Sequence, residues 1–299
     1  MEKITLGKNL SLSRIIHGHW RLSDWKYSSY ELLNFTKQIT DLGITSFDTA
    51  DIYGDYSCEH LFGDALQLDK GIRKNIEIIT KCGISLVSDK FPQRKEKIYD
   101  YSYDYIVNAV NRSLSNLRTD YIDLLLLHRP SPMINPEDVA KAFDYLERSG
   151  KVLNFGVSNF TPLQFEMLQS FTSQKLVTNQ VEISPLHFEH FENGNIDFFL
   201  KERIKPMAWS PLARGRIFNP QTDQEKRVNK TIEEVADELG TTTDKVIIAW
   251  LLHHPVKIIP IVGSGKIERI RSVVKSLEII LSDEQWFRIF VSCNGEELP

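Results

Sequence analysis

The chain is 299 residues long, 41% hydrophobic and 25% charged. Those values belong to a folded globular protein and exclude disorder. With 36 Lys and Arg against 40 Asp and Glu the formal charge is −4, which argues against bulk binding to nucleic acid or to an anionic membrane.

At roughly 150 residues per domain the length suggests two domains, yet α/β barrels of about 250 residues or more form one. Short apolar runs alternate with longer stretches of helical periodicity, and no linker interrupts them. That rhythm predicts βα units around a parallel sheet. Residues 3–14 differ. Ile4 and Leu6, then Leu10 and Leu12, alternate about Gly7, Lys8 and Asn9, which predicts a β-hairpin.

The repeat then runs as a strand at 14–18, a helix at 28–42, a strand at 46–50, a helix at 58–68, a strand at 75–81 and a helix at 103–116. Residues 122–128 are nearly all aliphatic, as a strand covered on both faces should be. Asn135 and Pro136 open the next helix as N-cap and first residue, and a strand follows at 155–158. Thr161-Pro162-Leu163-Gln164 is a capping box with proline at the first helical position. Strands at 176–181, 206–209 and 257–262 follow, with helices at 196–203, 231–239, 243–253, 266–276 and 283–292. The expectation is one domain, 1–299, folded as an α/β (β/α)8 TIM barrel whose bottom the N-terminal hairpin closes. Functional residues then belong at the C-terminal strand ends.

Those ends carry His17, Gly18, His19 and Trp20, then Asp48 with Tyr53 five residues on, then Lys81, His128, Ser158 and Asn159. Gln180, Trp209 and Ser210 follow, with Ser264, Gly265 and Lys266 just past the eighth strand. Asp48, Tyr53, Lys81 and His128 come from three neighbouring strands. A free tyrosine titrates near pH 10, and a lysine cation beside it favours its ionised form. A lysine inside a barrel mouth needs a counterion, which Asp48 supplies. His128 suits orienting a carbonyl oxygen and sharing its developing charge. The set fits protonation of a carbonyl coupled to attack at carbon by a group that the protein does not itself carry. Each residue alone has a blander reading, as a solvated strand end or a core histidine; four at successive strand ends reverse that balance.

The motifs that hold these residues resemble the aldo-keto reductase superfamily. They are Phe47-Asp48-Thr49-Ala50-Asp51-Ile52-Tyr53-Gly54, Ile79-Thr80-Lys81, Leu125-Leu126-Leu127-His128, Gly156-Val157-Ser158-Asn159-Phe160, Asn179-Gln180-Val181-Glu182 and Ala208-Trp209-Ser210-Pro211-Leu212. Their order and spacing match over essentially the whole chain, most closely in the bacterial oxidoreductase branch. The resemblance implies an NADP-dependent oxidoreductase that reduces aldehydes and ketones to alcohols. Tyr53 would be the general acid, tuned by Lys81 and Asp48, with His128 orienting the substrate. Ser158, Asn159 and Gln180 would hold the nicotinamide carboxamide, and Trp209 would stack on its ring, where many members carry tyrosine. Ser210, Leu212, Arg214 and Gly215 would line the pyrophosphate. Ser264, Gly265, Lys266 and Arg269 would grip the 2′-phosphate of NADPH. Two positions depart from the family. Ser272 and Val273 stand where many members carry Glu-Asn for adenine, and His19 stands where Thr is frequent.

Two other readings compete. His17-Gly18-His19 is a metal-ligand pattern of hydrolase barrels, but Ser158, Asn159, Gln180 and Val262 at the other strand ends are poor zinc ligands, so no metal is assigned. A catalytically weak binding or regulatory protein would share the barrel, and the intact tetrad favours the enzyme. By alternation Cys82 points away from the pocket, and Cys58 and Cys293 sit on helices. The three cysteines form no disulfide framework. Trp20, Trp25 and Tyr27 are candidate substrate walls, and the segment 83–101 is a candidate lid. The short tail after residue 292 suggests an open pocket, a small-molecule carbonyl substrate and broad specificity. With no apolar targeting segment near the start and no run long enough to cross a bilayer, a cytoplasmic protein with neither nucleic-acid nor membrane partners is expected.

Overall fold

A computed structural model describes residues 1–298. The hairpin forms as β1 (Lys3–Gly7) and β2 (Leu10–Ser13), paired antiparallel with Ile4 opposite Leu12. Its alternation buries Ile4, Leu10 and Leu12 on one face. It lies against the N-terminal ends of the strands that follow. The Ser13 backbone N–H donates to Ser46 Oγ at 2.9 Å, and Lys3 Nζ reaches Glu77 Oε1 at 2.7 Å.

The repeat proceeds through β3 (Ile16–Gly18), α1 (Ser29–Asp41), β4 (Ser46–Asp48), a short helical turn α2 (Tyr53–Tyr56), α3 (Cys58–Gln67) and β5 (Glu77–Cys82). Next come a two-residue ribbon, β6 (Ile84–Ser85) with β7 (Ile98–Tyr99), then α4 (Tyr103–Leu117), β8 (Leu124–Leu127), α5 (Pro136–Arg148), β9 (Phe155–Ser158), α6 (Pro162–Phe171) and β10 (Leu176–Glu182). The chain continues as α7 (Asn195–Lys201), β11 (Met207–Trp209), α8 (Asp223–Glu238), α9 (Thr243–His253), β12 (Ile259–Val262), α10 (Ile267–Lys275) and α11 (Asp283–Asn294). Among the described residues eight parallel strands close into a barrel in the order β10-β11-β12-β3-β4-β5-β8-β9. The fold is the (β/α)8 barrel.

The chain packs as two compact units. One is Met1–Asn179 with Gly263–Gly265; the other is Gln180–Val262 with the chain from Lys266 onward. In the first, β8 is four leucines, each at most 1% exposed. Burying a leucine fully contributes about 1.5–3 kcal/mol, so this strand alone is a large share of the local core. Helix starts follow their caps: Ser28, Ser102, Asn135 and Thr161 each accept a backbone N–H from the first turn. In the second unit, Trp250 and Trp286 stack with centroids 5.4 Å apart. Each donates its indole N–H to the other's carbonyl oxygen, so both bury a large ring without orphaning its polar atom.

Three local features differ from the expected pattern. Helix α8 starts eight residues before the expected 231, behind a capping box of Thr222 and Glu225, because its first turns are polar and show no apolar period. Tyr53 sits on its own helical turn rather than in plain loop. The segment 83–101 is held by the β6–β7 ribbon, with Ile84 paired to Tyr99.

Candidate active site

Strand pairing brings the tetrad together. Asp48 ends β4 opposite Ile79 of β5, and alternation points Lys81, two residues on, the same way as Ile79. Lys81 Nζ lies 2.7 Å from Asp48 Oδ1, 2.8 Å from the Thr49 carbonyl oxygen and 3.1 Å from the Tyr53 hydroxyl. All three ammonium donors therefore have a partner, although the side chain is only 1% exposed. Burial pulls the Lys81 pKa down, but Asp48 and Tyr53 outweigh it and hold the ammonium above its ordinary value. The Thr49 carbonyl is the partner that residue types could not reveal.

Tyr53 is placed by strained backbone. Gly54, Asp55 and Tyr56 follow it with φ of 57°, 51° and 61°, all left-handed. A Cβ at Gly54 would come within 2.7 Å of Cys58 Sγ and 2.8 Å of Ser23 Oγ, so the turn needs glycine. Burial raises the Tyr53 pKa above 10, and the pull of Lys81 does not overcome it. This corrects the expectation of a net lowered tyrosine: the hydroxyl is kept protonated, held at 3.1 Å from a cation.

His128 follows β8, and its backbone N–H donates to the Cys82 carbonyl at 2.9 Å. Its ring meets the Tyr53 ring edge-on at 5.8 Å. Burial, then Lys81 and Arg129, push its pKa well below 6.5, so the imidazole is neutral. Ser158 is buried at the end of β9. Asn159 adopts φ 62° and donates to Ser158 Oγ at 2.7 Å and to the His128 carbonyl at 3.4 Å, which ties the two strand ends together.

Other expected residues have different surroundings. His17 and His19 are fully buried in the aromatic layer between β3 and the helices, against Phe35, Phe47 and Phe62. His17 Nε2 is bonded to the Ser264 carbonyl at 3.1 Å, and burial pushes its pKa down to about 4. Trp25 and Tyr27, both half-buried, touch the loop after β12. Tyr27 donates to the Gly265 carbonyl at 2.6 Å, and a Cβ at Gly265 would meet the Trp25 ring at 2.7 Å. Both brace the loop after β12. Trp20 remains half exposed. The segment 83–101 is pinned to the turn carrying Tyr53: Phe91 packs on Tyr56 at 4.8 Å, and Arg94 donates to the Tyr56 hydroxyl at 2.8 Å. Cys82 is buried and its thiol pushed well above 9, beside Asp51 and Glu59, whose carboxyls burial also raises.

In the second unit, Gln180 is buried and pairs with Met207, one strand from Trp209. Trp209 is half-buried, with the Arg214 guanidinium 5.7 Å from its ring. The loop beyond it turns through positive φ at Ser210, Ala213, Arg214 and Gly215, a backbone of the kind that makes anion-binding concavities. Leu212 is half-buried in the same loop. Arg216, next along, is committed to Glu225. Lys266 is the N-cap of α10, and its side chain makes no capping hydrogen bond. Lys266 and Arg269 are exposed. Val273 is buried, and Ser272 donates to Asp244 at 2.7 Å.

Comparison with known proteins gives the family. The model of the aldo/keto reductase family matches residues 14–290. An oxidoreductase of Bacillus subtilis (strain 168), YcsN, is 50% identical, with all of both chains covered. The 6-dehydroglucose reductase of Agrobacterium fabrum is 40% identical, again over all of both chains. Among solved structures, the thermostable aldo-keto reductase Tm1743, in complex with the inhibitor epalrestat, superposes with a TM-score of 0.82 at 26% identity, covering 98% of this chain and 100% of that one. Among the described residues no helix is long and apolar enough to cross a membrane. The chain belongs to the aldo/keto reductase family and is an oxidoreductase.

Proposed function

We propose that this enzyme uses NADPH to reduce aldehydes and reactive ketones to alcohols, with Tyr53 as proton donor. The observation that carries the reading is Lys81 Nζ, bonded at once to Asp48, Thr49 and the Tyr53 hydroxyl in a buried cluster. NADPH, when bound, supplies the hydride, since no side chain in the tetrad can deliver one.

The residues do the rest. The neutral His128 ring orients the carbonyl oxygen by a hydrogen bond. Tyr53 gives its proton as that oxygen gains charge. An alkoxide is a far stronger base than a phenolate, so the transfer runs downhill even from a tyrosine whose pKa is raised. Lys81 then stabilises the phenolate left behind, and Asp48 keeps Lys81 charged.

Ser158, Asn159 and Gln180 take the carboxamide in this reading, and Trp209 offers a flat face to the ring. Ser210, Leu212, Arg214 and Gly215 take the pyrophosphate. Ser264, Gly265, Lys266 and Arg269 take the 2′-phosphate. The left-handed backbone after Trp209 and the helix start at Lys266 fit phosphate groups. Trp20, half exposed, is the substrate wall in this reading. Two relatives, 40% and 37% identical, are named 6-dehydroglucose reductase, so polyhydroxylated aldehydes are the first substrates to try.

NADPH oxidation against a panel of sugar aldehydes, glyceraldehyde, aromatic aldehydes and diketones tests the reading. Turnover with at least one aldehyde, faster with NADPH than with NADH, is expected. No oxidation of either nucleotide by any carbonyl would overturn it.

A further inference from the structure

The segment between β10 and α7 gathers three metal-ligating side chains for which the reductase reading has no use. One ligating atom each from His187, Glu189 and His190 lies within 4.8 Å of the others. His187 Nε2 stands 3.4 Å from Glu189 Oε1. Two ligands bound at about 2.0–2.1 Å to a tetrahedral zinc ion are separated by about that distance.

The backbone places these residues before any ion arrives. Ser184 and His187 exchange two backbone hydrogen bonds, of 3.1 and 3.0 Å, so His187 closes a tight turn. Glu189 opens a single helical turn, Glu189–Phe191. Phe191 anchors that turn among Trp250, His254, Trp286 and Phe290.

Asn195 holds the His190 ring. It is 6% exposed, with its Nδ2 3.0 Å from His190 Nδ1 and 2.9 Å from Asn193 Oδ1. Its own Oδ1 is buried without a hydrogen-bond partner among the described residues.

We propose that His187, Glu189 and His190 bind one divalent transition-metal ion of the zinc class, with water as fourth ligand, and that the ion ties down the segment 183–194. Two imidazoles and one carboxylate are a donor set for zinc, nickel or copper rather than for magnesium or calcium. Glu189 is exposed, which gives the ion an entry path. The ligands sit at i, i+2 and i+3 in a loop, a spacing that matches no common metal motif, so the sequence alone did not single them out. This inference does not depend on the reductase reading.

Calorimetric titration of the full chain with zinc chloride, with cobalt(II) absorption as a parallel probe, tests it. One zinc ion should bind with micromolar or tighter affinity, cobalt should give the intense visible bands of a tetrahedral site, and zinc should raise the melting temperature. The double variant H187Q/E189Q changes two side chains outside the core. It should keep its metal-free melting temperature, weaken zinc about 100-fold and lose the cobalt bands. His190→Gln should do the same to zinc. Zinc binding of equal strength in wild type and double variant would place the ion elsewhere and overturn the proposal. So would a wild type that takes up no zinc in the micromolar range.

Discussion

Around Lys81 every charge is out of water and bonded: Asp48 Oδ1, the Thr49 carbonyl and the Tyr53 hydroxyl all lie within 3.1 Å of one buried ammonium. Around the start of α10 the cations are in water: Lys266, Arg269 and Arg271 are all exposed, on a helix start with no side-chain cap. The difference is one of dielectric and of timing. Desolvated partners interact strongly and fix their geometry before a ligand arrives. Exposed cations are screened and gain their full effect only when an anion docks. The first region should therefore answer to mutation through folding and turnover together. The second should answer through ligand affinity alone, and in a salt-dependent way.

The largest effect expected from this contrast is on stability at Lys81. Lys81→Met leaves Asp48 buried without its cation, which costs about 3–5 kcal/mol. Urea unfolding of the variant measures it, and the added change Asp48→Asn should recover part of the loss. A cost below about 1 kcal/mol would mean that the buried pair is not held as the geometry shows.

His17 gives the next effect, through pH. Its folded pKa is depressed to about 4 from 6.5, so the folded state keeps the ring neutral while the unfolded state takes up a proton below 6.5. Stability from this group is whole above 6.5 and falls as pH drops toward 4. Between pH 7 and 5 the loss is about 2 kcal/mol. His17→Gln keeps an N–H for the Ser264 carbonyl and removes the titration. The difference in unfolding free energy between pH 7 and pH 5 should shrink by that amount relative to wild type. An unchanged difference would place the proton uptake on other groups.

The smallest effect belongs to the exposed region. Replacing both Lys266 and Arg269 with Ala should raise the NADPH dissociation constant by about tenfold or more, leave NADH nearly untouched and leave the melting temperature unchanged. Added salt should narrow the gap between wild type and variant. Equal weakening of both nucleotides would remove the 2′-phosphate from the account.

The same contrast explains what the sequence disclosed. The barrel was legible because each unit repeats a local signal, and Thr161-Pro162-Leu163-Gln164 marks a helix start through a capping box that needs only four residues. The tetrad was legible because Tyr, Lys, Asp and His at successive strand ends form a chemical set. Three things were not. Trp25 and Tyr27 brace Gly265, more than two hundred residues away, and no local pattern encodes that contact. The β6–β7 ribbon has strands of two residues each, too short for any period to show. The net direction of the Tyr53 pKa depends on burial, which residue types alone could not weigh against Lys81.

The central claim is that Tyr53 donates the proton, and Tyr53→Phe tests it most directly. The change removes one hydroxyl and leaves the ring against His128. With a reactive aldehyde, turnover should fall by about 10²–10⁴-fold, while NADPH affinity from fluorescence titration stays near the wild-type value. Wild-type turnover in Tyr53→Phe, with turnover abolished in His128→Gln, would contradict the account and make the histidine the donor.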